Sequence, residues 1–179
     1  MTGNPRLLPL GRRWLYRIAK TWFQTIFNRH KKVQGTVDVE AVPDPKRKQC
    51  LGEADIFKRI QDTEWFKHLD EQLAFQLSLI HDNIEVVYWS ALLSDTGGTE
   101  QAMHQEFTEH GTWPRFAGIF SLDGKGKILM ERLDLKGGKV ELSLGAGDAV
   151  IFRGDKMHAG ATYNEEHRRL YFKACAAVG

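Results

Sequence analysis

Polar and apolar residues follow two different periods along this chain, and the change from one to the other divides it. From about residue 49 to His81, the apolar residues Ile56, Phe57, Ile60, Leu69, Leu73, Leu77 and Ile80 fall at spacings of three and four, which lines one face of a helix. The spacing predicts helix there, broken near Asp62-Thr63. Beyond Asp82-Asn83 the texture becomes β-rich: Glu85–Leu93, Arg115–Leu122, Lys127–Leu133, Lys139–Leu144, Asp148–Phe152 and Arg168–Ala174 are short runs parted by glycine-bearing turns. Asp123-Gly124 is a hairpin signal and Gly137-Gly138 marks a second turn. Helices first and then many short strands predict a mainly β chain, a sandwich or barrel with helices on one side.

The first 34 residues have another character. They hold Arg6, Arg12, Arg13, Arg17, Lys20, Arg29, Lys31 and Lys32 and no acidic residue, while Trp14, Leu15, Ile18, Trp22, Phe23, Ile26 and Phe27 recur at helical spacing. This reads as a basic amphipathic helix, open to three uses: an organellar transit segment, a contact with a membrane surface, or a helix packed on the outside of the sheet. Val42 to Lys48 carries two prolines and a charge run, the mark of a linker or exposed turn. Residues 1–48 are therefore expected to form an extension and linker, and 49–179 a single β domain with supporting helices.

Composition narrows the classes without choosing among them. A chain of 179 residues suffices for one domain with a substantial core. Its net charge of +2, from 25 basic and 23 acidic residues, gives no reason to expect a nucleic-acid partner. Cys50 and Cys175 stand far apart and in no CxxC spacing, so neither a disulfide framework nor a zinc knuckle is suggested. A reducing, cytoplasmic setting is expected, or an organelle if the basic segment is a targeting signal. No run approaches the roughly 18 apolar residues of a membrane-spanning helix.

Chemistry concentrates between Gly97-Gly98-Thr99 and Met103-His104-Gln105-Glu106-Phe107. Residues two apart on an extended chain share a face, so His104 and Glu106 can address one point while Gln105 turns away. A third ligand is expected from another strand, and His158 follows the strand-like Gly147–Phe152 and the turn at Gly154. Two histidines and one carboxylate on one face of a metal leave its other positions open, the arrangement of non-haem Fe(II) oxygenases.

These residues, from about 85 to 175, resemble the Fe(II)- and 2-oxoglutarate-dependent dioxygenases, especially their phytanoyl-CoA-dioxygenase-like and prolyl-hydroxylase-like branches. The resemblance rests on His104-Gln105-Glu106, on His158 a further 158 − 104 = 54 residues along, and on a basic residue 168 − 158 = 10 positions beyond that. It implies a double-stranded β-helix, a jelly roll of cupin-like kind, in which His104, Glu106 and His158 hold Fe(II). It further implies a basic residue binding the far carboxylate of 2-oxoglutarate, O2 as oxidant, and hydroxylation of a small-molecule, lipid or peptidyl substrate. Arg168 and Arg169 both stand at the right offset. Strand parity puts Arg168, Leu170, Phe172 and Ala174 on one face and Arg169, Tyr171, Lys173 and Cys175 on the other. The first set is the more apolar and is expected to face inward, which nominates Arg168 and sends Arg169 outward unless a bulge exchanges them.

Two alternatives belong to other classes. A cupin-type metalloprotein using His104, His110 and His158 would need no 2-oxoglutarate. An inactive binding module of the same fold is the other, because the carboxylate is Glu106 where most members of the family place aspartate. A zinc hydrolase is disfavoured, since His104 and His110 do not make an HExxH spacing. His68-Leu69-Asp70 spells a similar triplet, but on a helix its side chains diverge. His30, His68, His81 and His167 are read as structural or surface residues, and the loop Thr108–Arg115, with Trp113 and Pro114, as a border of the substrate entrance or a plug of the barrel end.

Overall fold

A computed structural model describes residues 6–9, 46–51, 55–107, 115–132 and 138–176. Its strands are β1 (Arg6–Pro9), β2 (Arg47–Leu51), β3 (Ile84–Ser94), β4 (Arg115–Ser121), β5 (Gly126–Glu131), β6 (Lys139–Leu144), β7 (Asp148–Arg153), β8 (His158–Gly160) and β9 (His167–Ala176), and its helices are α1 (Asp55–Gln61) and α2 (Glu64–Ser78). The strands form a six-stranded sheet in the order β1-β7-β4-β9-β3-β2 and a three-stranded sheet in the order β6-β5-β8. Neighbouring strands run antiparallel throughout. The two sheets enclose Ala117, Ile119, Ile128, Met130, Leu144, Val150, Phe152 and Tyr171, with Tyr88 and Leu92 at the margin. This is a double-stranded β-helix.

The larger sheet is covered on its other face too. Trp65, Phe66, Leu69, Leu73 and Leu77 form the buried stripe of α2, at the spacing a single helical face requires. They meet Trp89, Phe116, Ile151, Leu170 and Phe172 of the sheet together with Phe57 and Ile60 of α1. The Trp89 indole donates to Asp70 across the interface at 3.0 Å. Thr63 separates the helices where the sequence suggests a break. It has extended backbone angles, and its hydroxyl donates to the Ile60 carbonyl at 2.5 Å.

Two local features set which residues face which layer. In β3 the register shifts between Val86 and Tyr88, so Val87 is an extra residue, left exposed. The bulge lets Val86 and Trp89 both serve the helical layer while Tyr88 turns inward against Tyr171, with ring centroids 6.3 Å apart. At the centre of β4, Gly118 leaves room for Phe172, whose ring a Cβ would meet at 2.2 Å.

Three elements differ from the sequence reading. Arg47–Leu51, inside the stretch read as a linker running into helix, is an edge strand paired with β3 from Arg47↔Ser94 to Leu51↔Ser90. Arg6–Pro9, read as the start of a basic helix, is the opposite edge, paired with β7. An edge strand bonds on one side only, so charge and proline are tolerated there. The three-residue β8 lies where no strand was read. The helical portion expected between Trp14 and Phe27, the loop around Trp113 and Pro114, and His110 lie outside the described residues.

Candidate metal centre

The chain segment leading to His104 is not a named strand but is pinned at intervals. Gly97, with φ of 79°, donates to the Tyr163 carbonyl at 2.8 Å. Farther along, His104 and His158 exchange two backbone hydrogen bonds, each 2.9 Å. A directly opposed antiparallel pair brings side chains together on one face, and the two imidazole centroids stand 4.5 Å apart. Glu106, two residues on, donates its backbone N–H to Gly154 at 3.1 Å and returns to the same face.

The side chains converge on one point. Oε1 of Glu106 lies 3.3 Å from Nε2 of His158 and 3.8 Å from Nε2 of His104, and one ligand atom from each of the three residues can be chosen within 4.8 Å of the others. Nδ1 of His104 lies 2.9 Å from the Ala102 carbonyl, and Nδ1 of His158 lies 3.0 Å from that of Lys156. A carbonyl only accepts, so both Nδ1 atoms carry the proton, and in a neutral ring Nε2 is then a lone pair. Burial, more than the nearby His158 and Arg47 charges, pushes the His104 pKa down. Burial alone would raise the Glu106 carboxyl, but His158, Tyr171 and Lys173 together hold it down to about 2. Protonated, His158 donates from Nε2 to Oε1 of Glu106; with both rings neutral, two imidazole lone pairs face that oxygen. Electron pairs so arranged repel unless a cation stands among them, and this donor set suits a divalent metal.

Strand β9 supplies the surroundings from one face only. Lys173 Nζ lies 3.3 Å from Oε2 of Glu106. Burial, and after it the Glu106 carboxylate that the hydroxyl faces, pushes the Tyr171 pKa up. Arg169, on that face also, is 5% exposed. Its Nη1 donates to the Tyr163 hydroxyl at 2.8 Å, and that hydroxyl donates to the Lys127 carbonyl at 2.6 Å. Among the described residues its Nε has no hydrogen-bond partner, nor has the hydroxyl of Ser121, the residue opposite it on β4. Among the described residues no carboxylate pairs with the Arg169 guanidinium.

Arg168 occupies the other face. Its guanidinium pairs with Glu166 and its backbone N–H donates to Asp123 at 2.8 Å, while Leu170, Phe172 and Ala174 beside it belong to the helix-covered core. The expectation that the Arg168 face is the inward one is thus corrected. Both faces of β9 are buried, and the more apolar one lies under the helices; the interior of the barrel is the more polar. The same parity, read the other way, would have drawn attention to Arg169, Tyr171 and Lys173. Tyr163 and Ser121 carried no signal in the sequence. His167 is not a surface residue: it is fully buried, with Nδ1 2.5 Å from Oδ1 of Asp123. His68 and His81 are exposed.

The fold is one that this chain shares with enzymes of known structure. No family model and no curated protein matches the chain in sequence; solved structures match it in shape. A Trichoplax adhaerens prolyl hydroxylase in complex with a hypoxia inducible factor peptide fragment superposes with a TM-score of 0.73 at 10% identity, covering 98% of this chain and 84% of that one. EvdO2 from Micromonospora carbonacea var. aurantiaca, complexed with 2-oxoglutarate, gives 0.66 at 15% identity over 97% and 86%. A Pseudomonas putida prolyl-4-hydroxylase gives 0.65 at 13% identity over 99% and 95%. At such identities the likeness is one of fold.

Proposed function

We propose that this protein is a non-haem Fe(II) oxygenase that couples oxidative decarboxylation of 2-oxoglutarate to hydroxylation of a substrate. The observation that carries the reading is Arg169: a guanidinium buried without an acidic partner among the described residues, on the same side of β9 as Tyr171 and Lys173, which stand against Glu106 of the triad. A buried unpaired charge costs several kcal/mol by order of magnitude, so this position is built for an anion. A carboxylate matches the planar fork of arginine, with Ser121 beside it as a further donor. Anchored there, a dicarboxylic ligand can direct its other end towards His104, Glu106 and His158.

On this reading the triad holds Fe(II), and iron with 2-oxoglutarate and O2 supplies the oxidising power, one oxygen atom leaving in succinate and one entering a substrate C–H bond. The residues' own tasks are to hold and orient. The Nδ1–H bonds to Ala102 and Lys156 aim both Nε2 atoms inward. The Phe152 ring, 4.5 Å from that of His158, walls one side of the ligand. The prolyl hydroxylase of similar fold solved with a peptide fragment supports a peptidyl substrate as one option, and EvdO2, solved with 2-oxoglutarate, supports the co-substrate.

Anaerobic titration with Fe(II) and 2-oxoglutarate tests this directly, by the visible charge-transfer band of a keto acid chelated to Fe(II). The band is expected in the wild type, absent in His158→Ala, and formed only at raised 2-oxoglutarate in Arg169→Ala. A wild-type protein that gives no band overturns the proposal.

A further inference from the structure

Glu106 has two carboxylate oxygens, and the structure gives them different neighbours. Oε1 faces the two imidazole Nε2 atoms, at 3.3 and 3.8 Å. Oε2 faces the Lys173 ammonium at 3.3 Å. The lysine is itself held: Nζ lies 5.2 Å from the centroid of the Phe107 ring and 5.9 Å from that of Tyr171, within reach of cation–π attraction. Phe107 is fixed in turn across Gly154, where a Cβ would come within 2.1 Å of the ring. With the lysine side chain 31% exposed and the glutamate 16%, the pair is shielded enough to hold its geometry.

This arrangement answers a problem that glutamate brings to such a centre. Its side chain has one more torsion than aspartate, so its carboxylate is freer to turn and offer both oxygens to one ion. A second oxygen donor would fill a position needed by other ligands. We propose that Lys173 is a positioning residue, engaging Oε2 of Glu106 so that Oε1 alone is presented towards His104 and His158. The inference rests on the triad being a metal centre, and it names a cost. The ammonium competes with the metal for the carboxylate and repels it, so an open position is kept at the expense of affinity.

Co(II) alone is the probe, bound anaerobically to the full chain and followed by its visible d–d absorption. In Lys173→Met, Co(II) is expected to bind more tightly, by about tenfold, the scale on which partners of metal ligands act. The absorption is expected to fall and shift as the coordination number rises. Lys173→Arg, which keeps a cation, should retain the wild-type spectrum. Lys173→Gln, which keeps reach without charge, should move with the methionine variant by a smaller factor, and it serves if that variant does not fold. Unchanged or weaker binding, or tighter binding with an unchanged spectrum, overturns the positioning role. A wild-type protein that binds no Co(II), with His158→Ala indistinguishable from it, overturns the metal centre itself and is told apart by that control.

Discussion

Nε2 of His158 and Oε1 of Glu106 lie 3.3 Å apart, and the Nδ1–H of His158 is already engaged by a backbone carbonyl 3.0 Å away. Protonated, His158 donates from Nε2 to Glu106; neutral, the ring and the carboxylate are two acceptors held face to face by the fold. The repulsion is relieved when a cation binds, so metal binding and folding are coupled.

A saturating divalent metal should therefore raise stability, by about 2.7 kcal/mol at a free concentration a hundred times Kd. Calorimetric Tm values with Co(II) and with a chelator measure this. The gain should vanish in His158→Ala and in Glu106→Gln.

Arg169 and Arg168 should separate cleanly. Arg169→Met removes a buried charge that has no acidic partner among the described residues, so the apo protein is expected to be as stable as the wild type or more so. The metal-loaded variant should lose about 2 to 5 kcal/mol of 2-oxoglutarate binding. Arg168→Met breaks an ion pair with the half-exposed Glu166 and should change either quantity by less than about 1 kcal/mol. Urea unfolding and calorimetric titration read the two effects. The reverse pattern would return the anchor to Arg168.

Gly118→Ala should destabilise the fold by about 1 to 3 kcal/mol. The new Cβ would stand 2.2 Å from the Phe172 ring and 2.6 Å from the Val150 carbonyl oxygen. The urea midpoint should fall with an unchanged slope, and Phe172→Leu in the same chain should recover part of the loss.

Acid should destabilise the fold at the buried Asp123–His167 pair. Burial pushes the His167 pKa below its ordinary 6.5, and protonation would add an N–H at Nε2, which is buried without a partner among the described residues. Burial opposes ionisation of Asp123, but the His167 and Arg168 hydrogen bonds hold it below its ordinary 3.8. Both groups bind protons more readily unfolded, so their contribution is full above about pH 6.5 and is lost as pH falls, first through the histidine and then through the carboxylate. Unfolding free energies of wild type and His167→Gln between pH 8 and 5 should converge towards the acid end. A constant difference would show that His167 does not titrate on folding.

Much of this protein could be read from its sequence because the relevant information is local. The α2 stripe from Trp65 to Leu77 is a periodicity within one element. His104 and Glu106 share a face by being two apart on extended chain, and their order relative to His158 is a property of the chain alone. The strands β3 to β7 and β9 emerged for the same reason. The edge strands β1 and β2 did not, since an unpaired edge tolerates the proline and charges that otherwise mark a linker.

What only the tertiary structure decided is which side of a strand is the inside. The sequence determined that Arg168 and Arg169 point opposite ways on β9. It carried no sign of which way was inward, because α1 and α2 bury the Leu170 and Phe172 face as thoroughly as the second sheet encloses the Tyr171 face. Apolarity marks burial, and both faces are buried. Polarity within the barrel marks the site, and it took the packing of the helices on one face to show that Arg169, Tyr171 and Lys173 stand on the other.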